Sequence, residues 1–214
     1  MNNVMTEAIV LSETKFQDTS KILKLYTKEA GLVSVMAKGA MRPRSRLMSV
    51  SQNHVVLTAK LTEGRNFYYM DPVNIVTMNY GLRSDYRKMV LAGFLSELIL
   101  KSQLERHPSE QLFLMLKKAL GLMAEGGNPE VLALSFSIKY ITLLGYMPPL
   151  HANAPPFQAD LRAADIVMLK NLLYTSLDMD HDIDPNRALA LLLSVVTYMK
   201  YQLDIPTFNS LTLL

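Results

Sequence analysis

The chain has 214 residues, half of them hydrophobic and 19% charged, a balance that supports a folded core and excludes a largely disordered polymer. It contains no cysteine, which excludes disulfides, zinc–thiolate sites, iron–sulfur clusters and thiol catalysis together, and fits a reducing compartment. The net charge of +3 is uneven: residues 1–88 hold 13 Lys/Arg against 7 Asp/Glu, and residues 89–214 hold 9 against 12, so the first part is the one expected to meet polyanions.

Glu7, Glu13, Lys15 and Asp18 interrupt the first twenty residues, which therefore do not read as a signal peptide. Short strands follow one another from there: 7–12 (EAIVLS), 21–27 (KILKLYT) and 32–37 (LVSVMA), then 54–59 (HVVLTA), 66–70 (NFYYM) and 73–78 (VNIVTM). Between the second and third, Lys28-Glu29-Ala30-Gly31 has the length of a hairpin loop. Five or six strands in about 80 residues leave no room for crossover helices, so the sheet is antiparallel and must close or pack; a small OB-like barrel is the expected solution. Of the fourteen methionines, Met36, Met41, Met48, Met70 and Met78 fall in this part and are expected mainly to fill its core.

The period then becomes helical. Residues 84–101 carry apolar positions at helical spacing, with Ser84 as the expected cap. A second helix is predicted over 108–124, stopping at Gly126-Gly127, and a third from Asn128-Pro129-Glu130 to about Gly145. Helices over 160–175 and from Asp184-Pro185 to about Leu203 complete the chain. Residues 147–158 (MPPLHANAPPFQ) hold four prolines and read as a loop. The apolar runs 89–95 and 188–196 fall well short of the roughly 20 residues a bilayer demands. The expectation is an α+β protein located in the cytoplasm without membrane association, with a barrel over 1–80 and a helical domain over 81–214.

Motifs for catalysis are missing. No phosphate-cradling glycine loop, G-x-S-x-G elbow or H-E-x-x-H helix occurs, and His54, His107, His151 and His181 share no ligand-like spacing. The run 178–184 (DMDHDID) resembles the opening of a calcium loop, but Ile183 stands where glycine is needed and Leu189 where the closing acid belongs. It reads as a solvated acidic loop in which Asp184 caps the last helix. The chain is expected to be no enzyme and to hold no metal or cofactor.

The informative stretch is Ala37-Lys38-Gly39-Ala40-Met41-Arg42-Pro43-Arg44-Ser45-Arg46, with four cations and no acid. Gly39 and Pro43 keep it irregular, which lets guanidinium groups turn toward phosphates in bidentate fashion. Lys15, Lys21, Lys24, Lys60 and Arg65 extend the positive surface, while Tyr26, Phe67, Tyr68 and Tyr69 offer rings of which alternation sends about half inward.

These residues carry a family resemblance. Ala8-Ile9-Val10-Leu11, Asp18-Thr19-Ser20-Lys21-Ile22, the run from Leu25 to Leu32 (LYTKEAGL) and Ala37-Lys38-Gly39-Ala40 with Arg42-Pro43 and Ser45 resemble the N-terminal domain of the RecO family of bacterial recombination mediators. Leu112-Phe113 with Leu116, Leu143-Leu144-Gly145-Tyr146 with Pro148 and Leu150, and Asn209-Ser210-Leu211 continue it more loosely. The resemblance implies an OB-fold followed by a helical domain, with binding of single- and double-stranded DNA regardless of sequence. It also implies strand annealing, and cooperation with RecR in loading the RecA recombinase onto strands coated by single-strand-binding protein. The acidic C-terminal tail of that coating protein is expected on the helical domain, beside Lys117, Lys118 and Lys139. Many relatives carry a four-cysteine zinc module after the Gly-Tyr-x-Pro segment; here that place is His151-Ala152-Asn153-Ala154-Pro155-Pro156, without cysteine.

The DNA contacts are assigned to Lys38, Arg42, Arg44 and Arg46, helped by Lys21 and Lys24. Two other classes remain open on sequence alone: an RNA-binding OB module, and a metal-dependent nuclease built on the 178–184 loop.

Overall fold

A computed structural model describes residues 3–151 and 161–214. Its first part is five strands: β1 (Asn3–Phe16), β2 (Ser20–Thr27), β3 (Gly31–Ala37), β4 (Val56–Glu63) and β5 (Tyr68–Thr77). They close into a barrel in the order β1-β2-β3-β5-β4, with β4 returning to β1. All pairings are antiparallel except β3 with β5, where Val35 and Met36 face Tyr68 and Tyr69 in parallel. A short helix, α1 (Arg46–Val50), lies between β3 and β4. This is the five-stranded Greek-key barrel of the OB-fold.

Alternation fills the barrel. Val10, Leu23, Leu25, Val35, Leu57 and Leu61 point inward and are fully buried. Bulges between Val10 and Ser12 on β1, and at Thr58/Ala59 opposite Pro72, bend the strands enough to close. The second bulge explains why β5 is one strand where the sequence pattern predicts two: a proline without an N–H is tolerated where the ladder is already interrupted. The five methionines divide. Met36 and Met70 are buried and Met78 packs on the core, but Met48 is 42% exposed and Met41 half-buried.

The remaining helices are α2 (Tyr86–Ser102), α3 (Glu110–Ala124), α4 (Pro129–Leu143), α5 (Ala163–Tyr174) and α6 (Pro185–Gln202). The expected caps hold at α4 and α6 but not at α2, nor at α3, which starts at Glu110 behind a Ser109 cap, nor at α5, whose N-cap position is Arg162. Asn128 accepts from the amides of Glu130 and Val131, and Asp184 from Arg187. The α2 cap is Asp85, which accepts from Lys88, whereas the Ser84 hydroxyl donates to the Gly81 carbonyl. At the end of α3 the Gly127 amide returns to the Leu122 carbonyl. The start predicted at residue 160 and the part of the proline-rich loop over 152–158 lie outside the described residues; the helix itself begins at Ala163.

The chain forms two compact units: Met1–Tyr80 with Ser96–Lys117, and Gly81–Leu95 with Lys118–Leu214. In the second, α4 is the central helix. It packs against α5 and α6, and Leu134, Phe136, Ile138, Tyr140 and Ile141 are buried along it. Phe136 stacks on Tyr140 at 5.8 Å, and Phe94 meets Phe208 edge-on at 5.2 Å. Asp165 on α5 is clamped by the Arg187 guanidinium of α6, which holds its carboxyl below the usual range. Among the described residues, no helix is long and apolar enough to cross a membrane.

Candidate nucleic-acid interface

The outer face of β2 and β3 is where an OB barrel ordinarily meets an oligonucleotide. In this chain the first unit covers part of it with its own residues. Tyr26, on the outer side of β2, is fully buried. Glu105 forms a parallel bridge with Leu32, and the Arg106 amide donates to the Leu32 carbonyl at 2.9 Å. Gly31 makes this approach possible: its φ is +68°, and a Cβ there would lie 2.5 Å from the His107 carbonyl oxygen. Four ion pairs fasten the same stretch: Lys24 to Glu105 at 2.6 Å, Lys28 to Glu110 at 2.8 Å, Arg106 to Glu63 at 2.9 Å and Lys117 to Glu7 at 2.5 Å.

Lys24 is thus held on a covered surface. Its ammonium also donates to Ser34 at 2.8 Å, and the Ser34 hydroxyl donates to Glu105 at 3.0 Å; the Lys24 hydrogen bond chiefly, helped by that of Ser34, lowers the Glu105 pKa. Lys21 pairs with Glu13 on the neighbouring strand. Both cations keep their place on the barrel but have acids as partners.

The four cations of the turn do not. After β3 the backbone runs through successive turns, with Ala40 bonded to Ala37, Arg42 to Gly39 and Ser45 to Arg42. The Met41 amide ties it to the Thr19 carbonyl of the β1–β2 loop at 2.9 Å, and the Gly39 amide reaches the Ser20 hydroxyl. Gly39 and Arg44 take φ of +73° and +64°, which a straight continuation of β3 would forbid. Ser45 caps α1 through the Leu47 amide, so Arg46 opens a helix that the sequence pattern does not reveal. Lys38, Arg42, Arg44 and Arg46 are all exposed, and no acid pairs with any of them among the described residues.

Beside the turn lies a shallow groove lined by Glu13, Lys15, Lys21, Ala40, Met41 and Met48. Its lining combines the apolar Ala40, Met41 and Met48 with Lys15 and the Lys21–Glu13 pair. Of the four rings, Tyr26 is buried on the covered outer face, Phe67 is half-buried and Tyr68 packs on the barrel core, with the exposed Arg106 guanidinium 5.4 Å from its centroid. Only Tyr69 among them is exposed, at 41%, and the Lys38 ammonium stands 4.6 Å over its ring. Strand parity marks half the rings as inward, but which half depends on the register of β5, which sequence alone does not supply.

The cations expected to hold an acidic tail are all engaged internally. Lys117 belongs to the barrel unit and bonds Glu7. Lys118 meets Asp178 at 2.8 Å and the Ser176 hydroxyl at 2.9 Å. The Lys139 ammonium donates to the carbonyls of Leu173 and Thr175, satisfying the end of α5, and its burial lowers its pKa. In the acidic loop, the Lys118 contact with help from Ser176 pulls the Asp178 carboxyl down to about 2, while Asp184 caps α6. Among the described residues, no three His, Cys, Asp or Glu side chains are grouped to hold a metal ion.

A closed barrel in this strand order, with a cationic turn at its surface and helices after it, defines an OB-fold protein with an all-helical C-terminal part. Comparison with known proteins gives the particular line. The family models "Recombination protein O N terminal" and "Recombination protein O C terminal" match residues 1–79 and 83–212, and the chain belongs to the RecO family. Its relatives include the DNA repair protein RecO of Thermoanaerobacter sp. (strain X514), 36% identical over 151 residues, covering 70% of this chain and 61% of that protein. That of Caldanaerobacter subterraneus subsp. tengcongensis is 33% identical over 156 residues (72% and 63%), and that of Symbiobacterium thermophilum 35% identical over 147 (68% and 58%). The match therefore spans about three fifths of the length of these relatives.

Proposed function

We propose that this chain is a DNA repair protein of the cytoplasm that binds single- and double-stranded DNA through the barrel, residues 1–80, and makes or breaks no covalent bond. The observation that carries this is that, among the described residues, no acid pairs with Lys38, Arg42, Arg44 or Arg46, on the turn and at the start of α1, in a chain of the RecO family. A cation already bonded to an acid gains little from a phosphate, because one pair must break to form the other. A guanidinium facing water exchanges only solvent and counterions, and release of counterions drives the binding. Lys15 lies across the groove from this turn and adds to its positive charge, whereas Lys21, bonded to Glu13 in the same groove, has a weaker case. Lys24, bonded to Glu105, has the weaker case.

Annealing follows from the same charge. Two strands repel through their phosphates; a surface that neutralises both at once brings complementary bases within reach of pairing. In this reading the protein acts with RecR on strands coated by single-strand-binding protein and helps load RecA. The acidic tail of the coating protein docks on the helical part, residues 81–214. Lys118 is the best candidate there, since its pair with Asp178 is solvent-exposed and a tail carboxylate can replace one carboxylate with another. Lys139 and Lys117 would have to abandon contacts that close a helix end and fasten the barrel.

The test is annealing of two complementary fluorescent oligonucleotides precoated with single-strand-binding protein, by native protein and by Arg42→Ala/Arg44→Ala. Fast annealing lost in the variant is the expected result. No annealing by the native protein overturns the mediator reading.

A further inference from the structure

Phosphate contacts alone do not distinguish a single strand from a duplex. We infer that Tyr69 and Lys38 form a stacking platform for one unpaired base, placed so that the same strand's phosphates reach Arg42; this rests on the DNA-binding reading of the turn.

Tyr69 stands at the start of β5, between two inward-facing neighbours. Tyr68 packs on the barrel core and Met70 belongs to it, so parity turns the Tyr69 ring outward. The ring is also held. A Cβ added at Gly64 would lie 2.6 Å from Tyr69 Cε2 and 3.3 Å from Cδ2, so the ring lies against bare backbone at the β4–β5 loop, where a larger residue would displace it. The ring is 41% exposed with one edge against the glycine, which leaves a face open to a planar partner.

What occupies that face is the Lys38 ammonium, 4.6 Å from the centroid. A solvent-accessible cation–π contact of this kind is weak and easily exchanged. A nucleobase offers the ring a flat apolar partner and releases the ammonium, whose nearest use is a phosphate of the incoming strand. Lys38 begins the turn that carries Arg42, and the Arg42 side chain lies over Gly39, its Cδ 3.4 Å from where a Cβ would be. Ring, ammonium and guanidinium are thus brought together by two turns, one after β3 and one before β5, whose strands pair in parallel at Met36 and Tyr69. A base paired in a duplex has both faces stacked and cannot use the ring. The platform therefore selects unpaired strands, while the cations of the turn serve either form.

The experiment compares binding of labelled oligothymidylate with an abasic deoxyribose-phosphate oligomer of the same length, and with a duplex. Native protein is expected to bind oligothymidylate about tenfold more tightly than the abasic oligomer, within the range typical of one aromatic–base stack. Tyr69→Leu brings the two within about twofold while duplex binding is kept, and Tyr69→Phe retains the native ratio, since the ring and not the hydroxyl stacks. The native comparison requires no variant, so a misfolded leucine variant does not rescue the idea. Equal binding of both oligomers by native protein, or full base dependence in Tyr69→Leu, overturns the platform and leaves the phosphate interface standing. Failure of native protein to bind any of the three overturns the DNA-binding reading with it.

Discussion

The turn after β3 and the predicted tail-binding lysines contain the same chemistry and put it to opposite uses. Lys38, Arg42, Arg44 and Arg46 are exposed and have no acid partner among the described residues, whereas Lys117, Lys118 and Lys139 are each bonded to a carboxylate or to helix-end carbonyls. The difference lies in the neighbours. The turn is tied to the barrel by backbone amides to Thr19 and Ser20, by the buried Ala40 and by the Lys38 contact with Tyr69, none of which engages a guanidinium. The lysines sit on packed helices, where a side chain long enough to reach another element finds an acceptor. A count of positive charge therefore locates a polyanion surface only after the internally paired cations are subtracted.

Four changes sharpen or break that contrast. The largest effect belongs to a paired cation. Arg187→Ala leaves Asp165, 4% exposed, with the Arg162 amide but without the guanidinium that balances its charge, and is expected to cost about 3 kcal/mol in chemical denaturation, with DNA affinity unchanged. Arg42→Ala/Arg44→Ala inverts this: about tenfold weaker single-strand binding at low salt, roughly 1.4 kcal/mol, with no loss of stability. If the double variant unfolds more readily, the turn has a structural role that its lack of partners hides.

Acid titration addresses Lys24. The Glu105 pKa is lowered in the folded chain, so the pair contributes stability above the ordinary glutamate value of about 4.3 and loses it as pH falls through the lower folded value. Both groups are well exposed, so the contribution is about 0.5 kcal/mol, read as native protein against Glu105→Gln between neutral and acid pH. A stability difference that grows on acidification contradicts the assignment. The smallest effect is Lys118→Ala, expected to leave the unfolding midpoint and DNA binding in place while weakening a coating-protein tail peptide measured by anisotropy. Undiminished peptide binding removes Lys118 from the tail site.

Much of the fold was legible because its signals are local. Strand alternation, the Asn128-Pro129-Glu130 and Asp184-Pro185 starts and the Gly126-Gly127 stop each act within a turn or two of chain. The misreadings arise where local signals compete. Asp85 outranks the adjacent Ser84 as a cap, and a bulge carries β5 through Pro72. The site was legible as a charge run but not as a surface. Lys24 finds Glu105 across 81 residues and Lys117 finds Glu7 across 110, distances over which no sequence pattern announces a partner. Tyr69 was visible as a ring, and its outward side only became definite with the register of β5.

The salt dependence of single-strand binding tests the central claim most directly. Each phosphate contact adds about −0.7 to the slope of log affinity against log salt. Removing Arg42 and Arg44 together is predicted to flatten the native slope by more than one unit. An unchanged slope would place the contact surface elsewhere and contradict the account.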